Sequence, residues 1–264
     1  MAVASENFLP GRITARRDIA DGLWAIRVDP GGPFRFDPGQ YATLGVETPG
    51  GLVERAYSIV SAPHEAELEF FIELVHEGEL TPLLFKRRVG DTLHVRNRAK
   101  GRFLLDIDSV AIDRLLLCTV TGVAPFVSLV RAHTRDWKEG RFEGGRRVFL
   151  IHGASHSSEF GYRQELQRLA TEVPWFKYVP TVSRPWSDPA WTGETGRVDD
   201  ILRKYVDRWQ LDPASATAHL CGHPQMIAQG KAILRRHRWP SVQVREENYF
   251  IQEAPPDEVK SGVG

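Results

Sequence analysis

Arg55, Ala56, Tyr57 and Ser58 bring a cation, an aromatic ring and a hydroxyl into one short run. A guanidinium offers a planar fork to phosphate oxygens, and a phenol ring two residues on offers a flat stacking face. The pair suits a ligand with a phosphate end and a flat end. The run follows the polar turn Thr48-Pro49-Gly50-Gly51 and continues into Ile59 and Val60, so it reads as a strand. Alternation then sets Arg55, Tyr57 and Ile59 on one face and Ala56, Ser58 and Val60 on the other. A half-exposed strand with a solvated Arg55 is the competing reading.

A second anion-friendly stretch is Gly78-Glu79-Leu80-Thr81-Pro82, which precedes Leu83-Leu84-Phe85-Lys86. Thr81 is suited to cap a short helix and Pro82 to its first turn, and the N–H groups there favour pyrophosphate. Thr121-Gly122-Val123-Ala124-Pro125 opens another helix after a buried apolar run.

Stepping outward, residues 13–19, 23–28, 42–46, 55–60, 68–75 and 92–95 are short strand candidates separated by Pro/Gly turns, which predicts a small antiparallel barrel or sandwich. From residue 114 the pattern becomes alternating. Strands are expected at 115–120, 148–152, 177–182, 217–221 and 242–244, and helices at 125–137, 159–172, 198–209 and 224–237. That alternation predicts a doubly wound parallel sheet, joined to the first unit through residues 106–113. Such sheets bind ligands beyond the carboxyl ends of their strands, here the turns at Thr121-Gly122, His152-Gly153, Ser183-Arg184 and Cys221-Gly222. No Gly-x-Gly-x-x-Gly fingerprint accompanies them.

The 264 residues suit one large domain or two ordinary ones, and the composition, 42% hydrophobic and 26% charged, is that of a soluble globular protein. Lys+Arg and Asp+Glu both total 34, so net charge gives no reason to expect a nucleic-acid or membrane partner. Residues 1–8 carry no apolar signal core, and the 2 cysteines, Cys118 and Cys221, lie in apolar runs; a cytoplasmic, reduced protein is expected. Two thiols do not supply the ligands of an ordinary iron–sulfur cluster, so any such centre belongs to a separate chain, and no metal site is expected.

Four motifs carry a resemblance. Phe36-Asp37-Pro38-Gly39-Gln40-Tyr41, Arg55-Ala56-Tyr57-Ser58, Thr121-Gly122-Val123-Ala124-Pro125-Phe126 and Cys221-Gly222-His223-Pro224 resemble, in order, the motifs of the ferredoxin–NADP reductase family, in its bacterial FAD-containing branch. The resemblance implies an FAD-binding β-barrel over residues 1–108 and an NADP(H)-binding α/β domain over residues 109–264. It implies hydride transfer to flavin N5 and single-electron exchange with a ferredoxin or flavodoxin.

Residue by residue, it implies that Arg55 and Ala56 meet the flavin pyrophosphate, that Tyr57 stacks on the isoalloxazine, and that Ser58 donates toward N5. Leu80 and Thr81 would serve the remaining phosphate oxygens, and Thr121 and Gly122 the nicotinamide nucleotide. Ser183, Arg184 and Arg197 would take the 2′-phosphate, and Cys221 would shape the point where C4 meets N5. Tyr249 would cover the flavin opposite Tyr57, with Phe250 on the adenine side. A disordered tail is expected over residues 251–264.

Two positions depart from the family: Val120 stands where a Gly is usual, and Ser155 where some bacterial members carry an Arg, with His156 as a partial substitute. Lys86, Arg87, Arg88, Arg96, Arg98, Lys100 and Arg102 face one acid, Asp91, across a short span, a candidate docking face for an acidic partner. An NADH-driven reductase component of an oxygenase system and a non-catalytic flavin-binding protein on the same fold remain alternative readings.

Overall fold

The structure, a computed structural model, describes residues 7–104, 112–142 and 145–248. The expected linker and domain boundary fall mostly on residues outside these ranges.

The first unit contains β1 (Phe8–Ala20), β2 (Leu23–Asp29), β3 (Tyr41–Thr48), β4 (Gly51–Ser58), β5 (Leu68–Glu73), α1 (Thr81–Phe85) and β6 (Thr92–Arg96). The strands form a 6-stranded antiparallel sheet in the order β4-β3-β6-β1-β2-β5. Register shifts in β1 bend it, and Val60, just past β4, donates its N–H to Glu69 O on β5 at 2.8 Å. The two edges therefore meet and the sheet curls closed, the expected barrel. Its interior is Trp24, Ile26, Leu44, Phe70, Ile72 and Val95, all buried. Inward positions alternate as a half-buried pleat requires.

The second unit contains β7 (Asp113–Thr119), α2 (Ala124–Lys138), β8 (Arg147–Ala154), α3 (Arg163–Glu172), β9 (Phe176–Val182), β10 (Glu194–Thr195), α4 (Val198–Arg208), β11 (Ala216–Gly222), α5 (Pro224–Arg236) and β12 (Val244–Asn248). Its sheet is parallel throughout, in the order β10-β9-β8-β7-β11-β12, with an apolar core on each face. The strand order reverses between β7 and β11, and ligands gather beyond such a switch point. Among the described residues no helix is long and apolar enough to cross a membrane.

Three expectations need correction. The last strand is Val244–Asn248, not 242–244, because Val242 is 84% exposed on a 3₁₀ turn and packs on nothing that would make it a core residue. The helix expected from residue 159 begins at Arg163, after a separate 3₁₀ turn. Thr81 does not cap α1: Leu80 occupies that position, and the Thr81 hydroxyl accepts from Val75 N at 2.9 Å and donates to Val75 O at 3.0 Å. The hydroxyl closes the 75–81 loop instead.

The two units are joined by buried charge. Arg131 on α2 donates to Glu69 on β5 at 2.7 Å and to Glu165 on α3 at 2.7 Å, and Tyr162 donates to the other Glu69 oxygen at 2.9 Å. Ser128 adds a bond to Ser61 O at 2.7 Å. Burial alone would raise the Glu69 pKa, but Arg131, Tyr162 and Arg27 outweigh it and hold the carboxyl below its ordinary value. A depressed carboxylate stabilises the fold above its unfolded pKa and loses that contribution as pH falls through the folded one. Arg131→Met takes the nearest cation from Glu69, whose side chain is 8% exposed, and leaves it Tyr162 and the more distant Arg27. Its expected cost is about 3–5 kcal/mol in denaturant unfolding at neutral pH, shrinking as the pH falls below the ordinary carboxylate range.

Candidate functional site at the domain interface

A single cleft of about 1940 Å³ runs between the units. An ordinary small-molecule pocket is about 300–1,000 Å³, so the space suits two large ligands end to end. One wall is Arg55, Ala56, Tyr57 and Ser58 on β4, with Leu80 and Thr81 beside them. The other is built from the turns after β7, β8, β9 and β11, including Thr121, Ser155, Ser183, Arg184 and His223. Arg197 joins them at the head of α4. Of the turns that the carboxyl-end rule picks out, Thr121, Gly153, Ser183 and Arg184 line this wall, and the β4 motif faces them.

Tyr57 and Ser58 both line this space although they alternate on β4. Tyr57 packs partly on the barrel core, and burial raises its phenol pKa against the nearby Arg55, so it stays neutral. Ser58 donates to Glu247 Oε1 at 2.9 Å, a partner 189 residues away on β12. Glu247 is a residue that the sequence reading passed over. It lies opposite Cys221 in the β11–β12 register, and burial raises its carboxyl pKa while the Ser58 bond opposes the shift.

Two glycines in the nucleotide-side turns answer to the chain itself. A Cβ on Gly122 would collide with the Cys221 carbonyl, and one on Gly222, at φ +130, would collide with Thr119. Both let β7 and β11 run close enough for the turns to share one floor. Gly122 and Cys221 lie beneath the cleft and are not among its lining residues; Cys221 is fully buried. It is the β11 neighbour of Cys118, and burial raises both thiol pKa values, with Glu247 adding to Cys221.

Val120, where the family pattern has Gly, sits at φ +42, a left-handed conformation that a β-branched residue adopts under strain. His152 holds it there through a 3.0 Å contact of Nε2 with Val120 O, and burial lowers the His152 pKa to about 4. With Nε2 donating to that carbonyl, the ring is neutral.

Toward the far end, Arg184 and Arg197 line the cleft with the 79% exposed Trp186 and with Asp199. His156 is not among the residues that line the cleft. Its ring is held between Glu159 Oε1 at 3.2 Å and Ser187 Oγ at 3.0 Å, and Glu159 also accepts from Ser155 N at 2.7 Å. Tyr249 and Phe250 lie outside the described residues.

The residues present fit a flavin dinucleotide on one side and a nicotinamide dinucleotide on the other. Each side has a guanidinium for phosphate and an aromatic face: Arg55 with Tyr57, and Arg184 with Trp186.

The class this defines is a two-domain oxidoreductase that joins a flavin to a nicotinamide nucleotide. The family model of the oxidoreductase FAD-binding domain matches residues 23–103, and that of the oxidoreductase NAD-binding domain matches residues 116–231. The chain is 31% identical over 255 residues to ferredoxin–NADP reductase A of Sorangium cellulosum, covering 91% of this chain and 88% of that one. It is 28% identical over 230 residues to the flavodoxin/ferredoxin–NADP reductase of Escherichia coli, covering 84% and 87%. A crystal structure of a ferredoxin NADP+ reductase from Neisseria gonorrhoeae with bound FAD and NADP superposes with a TM-score of 0.79 at 28% identity, covering 93% of this chain and 100% of that one. The chain belongs to the ferredoxin–NADP reductase family, and FAD and a nicotinamide nucleotide are its cofactors.

The Glu247 carboxyl gives a test of the site's electrostatics. Its raised pKa means the folded state binds more protons than the unfolded one above the ordinary carboxylate range, so this group's contribution to stability falls as pH rises through the folded pKa. Glu247→Gln is expected to remove that loss. Unfolding midpoints should match wild type near pH 4 and exceed it at pH 8, read by circular dichroism.

Proposed function

We propose that this enzyme moves electrons between NADP(H) and a ferredoxin or flavodoxin in the cytoplasm, with the FAD domain ending near residue 108 and the NADP(H) domain following. The observation that carries the reading is the apposition of the Arg55–Ser58 wall to the carboxyl-end turns across one cleft. When bound, FAD accepts a hydride from the nicotinamide and passes the electrons on singly, which links a two-electron donor to a one-electron carrier.

The chain's own residues bind, orient and manage protons. Arg55 holds the flavin pyrophosphate, with Ala56, Leu80 and Thr81 along the same wall, and Tyr57 supplies a neutral stacking face. Ser58 and Glu247 control one proton. While Glu247 is ionised it holds the Ser58 hydroxyl hydrogen; once protonated it donates instead, and Ser58 Oγ–H turns toward the cleft as a donor for developing negative charge. Thr121 lies at the nicotinamide pyrophosphate. Gly122 and Cys221 shape the floor beneath it, so Cys221 is assigned packing and not nucleophilic work. Ser183, Arg184 and Arg197 take the 2′-phosphate, and Trp186 faces the adenine. Tyr249 and Phe250 keep the covering roles that the family pattern gives them.

Docking of the acidic partner is assigned to Arg98, Lys100 and Arg102. The basic span is split by β6, about 13 Å long at ordinary strand rise. Lys86, Arg87 and Arg88 lie before it, while Arg98, Lys100 and Arg102 follow it, the last lining the cleft. Arg96 is already paired with Glu54 at 2.5 Å.

Anaerobic stopped-flow bleaching of the flavin with NADPH and NADH tests the assignment. NADPH is expected to reduce the flavin faster, and Arg184→Ala or Arg197→Ala to raise its KM about tenfold each with little effect on NADH. A flavin that neither nucleotide reduces would overturn the enzyme reading. For the docking face, Arg98→Glu with Lys100→Glu should slow electron transfer to ferredoxin severalfold at low salt, and the difference should fade at high ionic strength. Reduction by NADPH should be unchanged in that variant.

A further inference from the structure

The Arg55 guanidinium is engaged within the chain itself. Its Nη2 forms an ion pair with Glu79, and its Nη1 donates to the Glu54 carbonyl at 2.8 Å. Both ends of the fork are thus engaged by the protein's own acceptors. Glu79 rides on the short 75–81 loop, which the Thr81 hydroxyl ties to both backbone polar groups of Val75. Glu77 lines the same wall and adds a further negative charge.

The side chains of Arg55 and Glu79 are 53% and 58% exposed, so the pair contributes little to folding. Its significance lies in what else needs that fork. A guanidinium can hold anions on both of its edges, as Arg131 does, but the Nη edge of Arg55 already carries Glu79 on Nη2 and the Glu54 carbonyl on Nη1. A phosphate that takes Nη2 displaces the Glu79 carboxylate and leaves that charge beside a second anion, where like charges repel.

We propose that Glu79 is a built-in competitor for the phosphate-binding fork of Arg55, so that a flavin's pyrophosphate enters by displacing a carboxylate and is held less tightly than Arg55 alone would hold it. This rests on the reading that Arg55 receives the flavin pyrophosphate.

The test uses the full-length chain freed of flavin and titrated with FAD, followed by quenching of flavin fluorescence. Glu79→Gln keeps the side-chain size and removes the charge. It is expected to lower the FAD dissociation constant about three- to tenfold and to slow FAD release on dilution. Riboflavin, which has no phosphate, should bind both proteins equally. In an Arg55→Gln background, Glu79→Gln should change FAD binding by less than about twofold, since no fork is left to compete for.

Unchanged or weaker FAD binding by the Glu79→Gln variant overturns the proposal, as does an equal gain in the Arg55→Gln background. Should Arg55→Gln alone bind FAD as tightly as wild type, the assignment of Arg55 fails and the role of Glu79 fails with it.

Discussion

Arg131 gathers carboxylates from both units, Glu65 and Glu69 from the barrel and Glu165 from the parallel-sheet unit. A buried cation with acidic partners on two bodies is satisfied in one relative orientation, because rotating either body strands a charge away from water. Every feature of the cleft depends on that orientation. The β4 wall and the carboxyl-end turns belong to different units, and neither alone encloses a site. The Ser58–Glu247 bond, which crosses the cleft, is possible only in the register that the clamp imposes.

Within the cleft the chain answers its own charges. Arg55 meets Glu79, and the Ser58 hydroxyl meets Glu247. Self-pairing fixes the orientation of these polar groups. On the nucleotide side, Asp199 stands beside Arg197, and burial together with Asp200 raises its pKa. Both walls of the cleft therefore set acids beside their arginines.

Much of the architecture was legible from periodicity. Short alternating runs gave the barrel strands, and apolar runs followed by Gly-containing turns located the parallel sheet and the floor of its ligand site. The motif at 55–58 singled out Arg55 and Tyr57, and the family resemblance Arg184 and Arg197, all of which line the cleft. What escaped was set by distance along the chain. Nothing local to Glu247 marks it as the partner of Ser58, and Glu79 reads as an ordinary loop acid until Arg55 is seen opposite. Thr81 misled because the residue type and the following proline fit a cap, whereas the loop behind it offered the hydroxyl better-placed backbone partners. The glycines at 122 and 222 mark turns in the sequence, but the atoms that approach them belong to the neighbouring strand and nothing local announces them.

The buried pair Cys118 and Cys221 has a consequence for durability. Flavins that exchange electrons also meet molecular oxygen, and peroxide attacks sulfur in proportion to its thiolate character and its access to solvent. Both thiols have 0% exposure and pKa values pushed well above the ordinary range. Packed side by side under the floor of the cleft, they present neither thiolate nor surface. The protein thereby keeps all of its cysteine sulfur out of reach of the oxidants that its own turnover would generate.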